Sequence, residues 1–457
     1  MKKVYDRIEK QKTFISEGKP LDLAFRKTML NKLKGAILKY SSDINAALKK
    51  DLGKSEFESY ATETGLILEE IGMHLKHLSK WTKRKKVKSP LVHFISKSYI
   101  YSEPYGRVLI FGTWNYPFQI NLVPLIGAIS AGNCAIIKPS EFTPHSSELL
   151  AKIIEEIFPE EYITVIQGGV EESQYLLSQK FDLIFFTGSP KVGRVILEGA
   201  SKFLTPVCLE LGGKSPCIVD ETANIDLSAR RIIWGKFVNA GQTCIAPDYL
   251  FVHNKVKDKL LLKMKEYVQL FYGDDPSKSA DFGRIINQAN LNRLADLLKE
   301  GEIFSGGQIS PEALYMAPTI IDGIKPEHKI MQEEIFGPIL PVMTFNNLSE
   351  VKEYVNSNPK PLALYYFSEN SKDLQTVIRE IPAGTVCLNE TVMQFGNSNL
   401  PFGGVGNSGF GKYHGKSSFD TFSHYKSVLQ KSTLVDLPFR YPPYNKTKLK
   451  IIKQFLG

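Results

Sequence analysis

From Tyr105 onward, short apolar runs alternate with segments of helical periodicity, and this alternation constrains the fold more than anything else in the chain. Strands are expected at 107–111, 135–138, 164–167, 183–187 and 207–210, with helices near 118–130, 146–157, 172–178 and 192–201. Strand–helix–strand units of this kind build a parallel sheet covered on both faces. Right-handed crossovers then make it an open, doubly wound sheet. A second series follows Gly213. Its strands are expected at 216–219, 249–252, 339–344, 362–367 and 385–388, and its helices near 227–239, 256–271, 290–299, 348–357 and 371–380. In 457 residues this amounts to two or three domains.

Ahead of the first series, residues 21–80 have helical spacing, interrupted near Asp51-Leu52-Gly53, with a second helix over 56–81. The charge run at 83–88 is a solvated boundary on this reading, and the alternating segment 92–104 a strand. Near the C-terminus a Gly-rich stretch, 402–411, leads into another alternating run, 418–424. Residues 446–456 are basic with interspersed apolar positions. They read as a docked or frayed tail, with weak contact to a membrane surface as the other reading. The N-terminus has no apolar run of a signal peptide. The most apolar stretch, 122–137, is broken by Pro124, Gly127, Gly132 and Asn133, so no span is expected.

The net charge of +9 fits solubility and attraction to an anionic cofactor, since no nucleic-acid module accompanies it. The five cysteines are Cys134, Cys208, Cys217, Cys244 and Cys387. Their odd number and the lack of paired spacing argue against a disulfide framework or structural zinc, and fit a reducing cytosol. No histidine has a partner at metal-ligand spacing, so no metal is expected.

Cys244 is the candidate nucleophile. It follows a helix-like run that gives way to Gly241-Gln242, a turn able to present a thiol into a cleft. A cysteine by itself is also a small core hydrophobe, which is how the other four read. Glu210, between Leu209 and Leu211 and before Gly212-Gly213, is either a strand-end surface carboxylate or a partly buried base with a raised pKa. Asn115, before Tyr116-Pro117, is either a turn residue or an amide donor. Thr187-Gly188-Ser189 opens a helix through Val192 and Gly193 without a G-x-G-x-x-G pattern. A helix N-terminus there would still face a pyrophosphate. Lys138 and Glu141 follow a strand end, where an adenosine ribose sits in such sheets. The aromatics Tyr116, Trp234 and Phe395 either line an apolar tunnel or belong to the core.

Taken in order, Gly112–Pro117, Ile136–Glu141, Phe186–Ser189, Leu209–Pro216, Asn239–Pro247, Glu333–Pro338 and Leu400–Gly409 resemble the aldehyde dehydrogenase superfamily. The likeness is to its class 3 branch, which includes the fatty and aromatic aldehyde dehydrogenases, and it covers about Asp51 to Ser427. It implies an α/β protein: a Rossmann-like doubly wound sheet, a second α/β catalytic domain and a small β oligomerisation arm. The domains expected are an NAD(P)-binding domain at 1–82 and 105–211, a catalytic domain at 212–398, bridging segments at 83–104 and 399–430, and the tail at 431–457. The resemblance assigns Cys244 as nucleophile, Glu210 as general base, and Asn115 with the Cys244 N–H as oxyanion donors. Lys138 and Glu141 match ribose-binding positions. Glu334 and Phe336 match positions that hold the nicotinamide ribose and ring, although a Glu333-Glu334 pair alone also suits a helix start. Gly212 joins the cofactor set. The carboxylate of Glu141 disfavours a 2′-phosphate, so NAD is expected, with NADP accepted by some members. A homodimer is expected, since the chain lacks the long N-terminal extension of the tetrameric branches.

The implied reaction oxidises an aldehyde, and an aldehyde releases hydride only after a nucleophile has added to its carbonyl. A thiohemiacetal oxyanion needs donors, and hydrolysis of the resulting thioester needs a base. Two alternatives are a dehydrogenase that passes its acyl group to coenzyme A and a silent cofactor-binding scaffold. Glu210 argues against the first, and the intact set of Cys244, Glu210 and Asn115 against the second.

Overall fold

The computed structural model describes residues 2–93 and 95–456. Phe94, inside the strand expected over 92–104, and the terminal Met1 and Gly457 lie outside the described residues.

The first series forms a six-stranded sheet in the order Gly409–Phe410, Val207–Leu211, Leu183–Gly188, Arg107–Phe111, Cys134–Lys138, Ile163–Val165. All pairs are parallel except the one made by Gly409–Phe410. From Arg107–Phe111 the chain adds strands outward on one side, then returns to add Leu183–Gly188 on the other. Strand order therefore reverses beside Arg107–Phe111, and ligands bind at the carboxyl ends of strands at such a point. The loops carrying Asn115, Glu141 and Ser189 all leave carboxyl ends of these strands.

The second series forms a seven-stranded sheet in the order Glu302–Ser305, Thr319–Asp322, Ile339–Phe345, Tyr249–His253, Pro216–Val219, Ala363–Phe367, Thr385–Leu388. Its first two strands were not anticipated. Glu302–Ser305 is short, partly exposed and antiparallel to its neighbour, so it lacks the continuous apolar run of a buried parallel strand.

A third, antiparallel sheet joins Lys85–Val87, Ser96–Pro104 and Ser423–Lys431. The charge run read as a boundary thus supplies an edge strand. The run 418–424 is corrected in part: Lys416–Thr421 is helical, and the strand starts at Ser423. Ser418, Phe419 and Phe422 are all buried, a spacing of one and three that one helical face accommodates.

The apolar stretch 122–137 divides into a wholly buried helix, Gln119–Ala131, and the strand Cys134–Lys138. Among the described residues no helix is long and apolar enough to cross a membrane. The tail forms a helix, Lys446–Leu456.

Candidate active site

The helix Ile225–Phe237 ends in an unusual turn. Asn239, Ala240 and Gly241 have φ of 53°, 52° and 73°, all left-handed. For a non-glycine residue this costs on the order of 1–3 kcal/mol and must be held by its surroundings. Asn239 N donates to Glu58 Oε1 at 2.9 Å, and Asn239 Nδ2 donates to the Asn115 carbonyl at 2.8 Å. Gln242 Nε2 donates to the carbonyls of Asn239 (3.1 Å) and Arg284 (2.9 Å). A Cβ on Gly241 would stand 2.3 Å from the Gly337 carbonyl oxygen, so only glycine fits. Cys244 emerges from this turn, part-buried, on the wall of a cavity of about 620 Å³.

Asn115 and Glu210 lie on the same wall. Asn115 Nδ2 donates one hydrogen to the Gln242 carbonyl at 3.0 Å, which leaves its second N–H uncommitted to that bond. Glu210 is 3% exposed, and neither carboxylate oxygen has a hydrogen-bond partner. Burial holds its pKa well above the usual carboxylate range. Burial also pushes the Cys244 thiol up to about 12, with the Glu334 and Glu210 charges adding to the effect. Burial thus favours the protonated form of both groups.

The remaining cavity lining includes the apolar side chains of Leu66, Ile120, Val392 and Met393, together with Tyr116, Trp234 and Phe395. All three of those aromatics line the cavity, while Phe395 also packs against the core and Trp234 is 39% exposed.

Of the expected cofactor residues, Thr187, Gly188, Ser189, Gly212, Glu334 and Phe336 line the same cavity. Ser189 caps the helix Pro190–Ser201, its hydroxyl accepting from Val192 N at 3.3 Å. Thr187 Oγ1 is buried without a partner. Gly212 passes so close to Glu334 that a Cβ would stand 2.1 Å from its carboxylate. Burial, then the Asp248 charge, raises Glu334 to about 8. Phe336, at φ 48°, meets Trp114 edge-on at 5.3 Å. Glu141 borders a second cavity of about 410 Å³, at the end of the strand Cys134–Lys138. Lys138 Nζ donates to the carbonyls of Pro139 (2.8 Å) and Gly168 (2.6 Å), both on that cavity's wall, and stands 4.0 Å from Glu141. Val192 and Gly193 line neither of these two cavities. Gly193 instead lets its helix approach the sheet, since a Cβ there would stand 2.8 Å from Leu211 Cδ2. An orphaned hydroxyl, a helix N-terminus, two carboxylates and a lysine at the carboxyl edge of a doubly wound sheet fit a dinucleotide.

Sequence reasoning missed Lys54, Glu58, Glu63, Asn239 and Gln242, which hold the two catalytic loops.

A part-buried thiol, an amide donor and an unpaired carboxyl, sharing an apolar cavity with a nucleotide edge, define a thiol-dependent dehydrogenase of aldehydes. Residues 3–428 match the aldehyde dehydrogenase family, and the chain belongs to it. It is similar to 4,4'-diaponeurosporen-aldehyde dehydrogenase of Staphylococcus aureus (strain NCTC 8325 / PS 47), with 50% identity covering 99% of this chain and 98% of the relative. It is also similar to aldehyde dehydrogenase family 3 member A2 of Pongo abelii, with 44% identity covering 98% and 92%. The solved substrate-bound state of Staphylococcus aureus AldH superposes with a TM-score of 0.97 at 49% identity, covering 99% of each chain. The α/β fold, the class 3 likeness and the enzyme class expected from the sequence, an NAD(P)-dependent aldehyde dehydrogenase, are borne out.

Proposed function

We propose that Cys244, Asn115 and Glu210 carry out the oxidation of apolar aldehydes, medium- or long-chain aliphatic or aromatic, to free carboxylic acids. The observation that carries this reading is the meeting of these three residues on one cavity whose remaining lining is largely apolar. The Cys244 thiol gives its proton to solvent in the cavity, and the thiolate sulfur so formed adds to the aldehyde carbon. The free N–H of Asn115, with the Cys244 backbone N–H, stabilises the oxyanion so formed. NAD, or NADP as the alternative, supplies a hydride acceptor when bound. Loss of hydride from the tetrahedral carbon leaves a thioester on Cys244. Glu210 takes a proton from water as the water adds to that thioester, and collapse releases the acid and restores the thiol. Thr187, Gly188, Ser189 and Gly212 line the path we assign to the cofactor, and Val192 and Gly193 serve it only through the helix whose start Ser189 caps. Lys138 and Glu141 would hold its adenosine ribose, and Glu334 and Phe336 its nicotinamide end.

The division of labour follows the sheets. Residues 1–82 and 105–211 bind the nucleotide, 212–398 form the catalytic domain, 83–104 and 399–430 bridge subunits of a homodimer, and 431–457 are a basic docked tail, with weak contact to a membrane surface as the alternative. Five free thiols suit the cytoplasm.

The test is absorbance at the NADH band with hexanal, decanal, benzaldehyde and 4,4'-diaponeurosporen-aldehyde, each with NAD and with NADP. Activity should vanish in Cys244→Ala while NAD affinity stays near wild type. Oxidation that survives in Cys244→Ala rules out the thiol mechanism, and turnover that requires coenzyme A favours the acyl-transfer alternative.

A further inference from the structure

Three buried ionisable side chains, Lys54, Glu58 and Glu63, have no part in the chemistry above, although each is at most 9% exposed. They lie on a segment with a defined irregularity. The short helix Glu56–Ser59 passes into a π-turn, Tyr60–Thr64, before α-helix resumes over Gly65–Trp81. Gly65 N donates to the carbonyl of Tyr60, five residues back, and a Cβ on Gly65 would stand 2.9 Å from that oxygen. On an α-helix of 3.6 residues per turn, positions five apart point roughly 140° away from each other. The wider π-turn narrows that angle, so Glu58 and Glu63 both act on Lys54.

Each of the three ends on the backbone of a catalytic loop. Lys54 Nζ donates to Glu63 Oε1 (2.9 Å) and to the Asn115 carbonyl (3.1 Å), and it sits 4.0 Å above the Tyr116 ring. Glu63 Oε2 accepts from Phe118 N (2.8 Å) and Gln119 N (3.1 Å). Glu58 holds Asn239, which in turn donates to the Asn115 carbonyl. One segment thus grips the loop of Asn115 on both sides and the turn that precedes Cys244.

A buried ion pair is a poor way to gain stability, because desolvation offsets its attraction and an apolar pair of similar volume holds a core as well. An apolar pair cannot fix the direction of a peptide group. We infer that Lys54 and Glu63 are positioning residues, which hold the Asn115 peptide so that its side-chain amide meets the oxyanion formed on Cys244, with the π-turn setting their reach. The inference rests on the proposed role of Asn115. A displacement of about 1 Å in such a group costs on the order of 10²-fold in rate.

The experiment is a double-mutant cycle read in single-turnover hydride transfer, with NAD and decanal. Lys54→Met and Glu63→Gln are introduced together, so that neither charge is left alone in the interior. In the otherwise wild-type enzyme this change should slow hydride transfer about 10²-fold. In Asn115→Ala it should slow it by less than about twofold, because coupled residues are not additive. NAD affinity by direct titration should be unchanged, and Lys54→Arg alone should recover part of the rate. Equal slowing in both backgrounds means a merely structural role and overturns the inference. So does a slow Asn115→Ala enzyme whose parent is indifferent to the pair change. If Asn115→Ala itself transfers hydride at the wild-type rate, the oxyanion reading fails first and takes this one with it. If the pair variant does not fold, Gly65→Ala, which crowds the π-turn alone, is judged by the same comparison of backgrounds.

Discussion

Burial raises the proton affinity of both Cys244 and Glu210, and the Glu210 charge adds to the effect on the thiol. The thiol, at about 12, has burial as its main cause, followed by the charges of Glu334 and Glu210. Its thiolate fraction rises roughly tenfold per pH unit below that value, so inactivation by iodoacetamide should accelerate as pH rises. Glu334→Gln and Glu210→Gln each remove a negative neighbour and should move the inactivation profile to lower pH. A profile unmoved in both leaves burial as the sole cause. Glu210→Gln should also separate the two half-reactions. We expect a normal burst of NADH followed by a steady state slower by about 10²-fold or more, the usual worth of a general base. The raised pKa of Glu210 means that its basic form grows with pH. Wild-type deacylation should therefore speed up on the alkaline side, and the glutamine variant should lose that rise. Equal loss of burst and steady state would remove Glu210 from the hydrolytic step. These residues were legible in the sequence because their neighbours, Gly212-Gly213 and Gly241-Gln242, carry the backbone demands of the site. Lys54, Glu58 and Glu63 were not. Charged residues on a helical stretch read as a solvated face, and neither the π-turn nor partners more than fifty residues away are written in local spacing.

Most strands and helices of the two large sheets fell within a few residues of their expected bounds, because buried parallel strands write themselves as unbroken apolar runs. Edge elements such as Glu302–Ser305 and Lys85–Val87 escaped, since half-exposed strands of three or four residues carry no such signature. The helix Pro190–Ser201 shows how an element transmits a local fit. Pro190 presets its first turn and Ser189 caps it. Gly193 then seats it against Leu211, the last residue of the strand that carries Glu210. Gly193→Ala places a Cβ 2.8 Å from a flexible leucine methyl, so the helix shifts by tenths of an ångström rather than unfolding. We expect a melting temperature within a few degrees of wild type, consistent with about 1 kcal/mol of overpacking. We also expect NAD affinity to be weaker by several-fold, because Thr187, Gly188 and Ser189 move with the helix start. Unchanged NAD affinity, measured by titration, would separate this helix from the cofactor.

At the scale of the molecule, the two large sheets bury most of their strands, but the third does not. Ser423–Lys431 is a nine-residue strand that, among the described residues, pairs with Ser96–Pro104 and no other strand, and most of its residues are exposed. Tyr425 is 42% exposed and Leu429 50%. A long exposed edge strand invites another chain, and a lysine along it, here Lys426, blunts indiscriminate pairing without preventing a specific one. Lys426 is drawn across the sheet to Glu103, which leaves the apolar positions of the strand as the remaining adhesive surface. The homodimer proposed above would cover this edge. Light scattering on the eluting protein should then give twice the chain's mass, and Tyr425→Asp combined with Leu429→Asp should give a single chain's mass. NAD binding should persist in that variant, because neither residue lines the cavities of the site. If the doubly substituted protein remains a dimer, the association surface lies elsewhere; if the unsubstituted protein is already monomeric, the edge stays open and the third sheet has no bridging role.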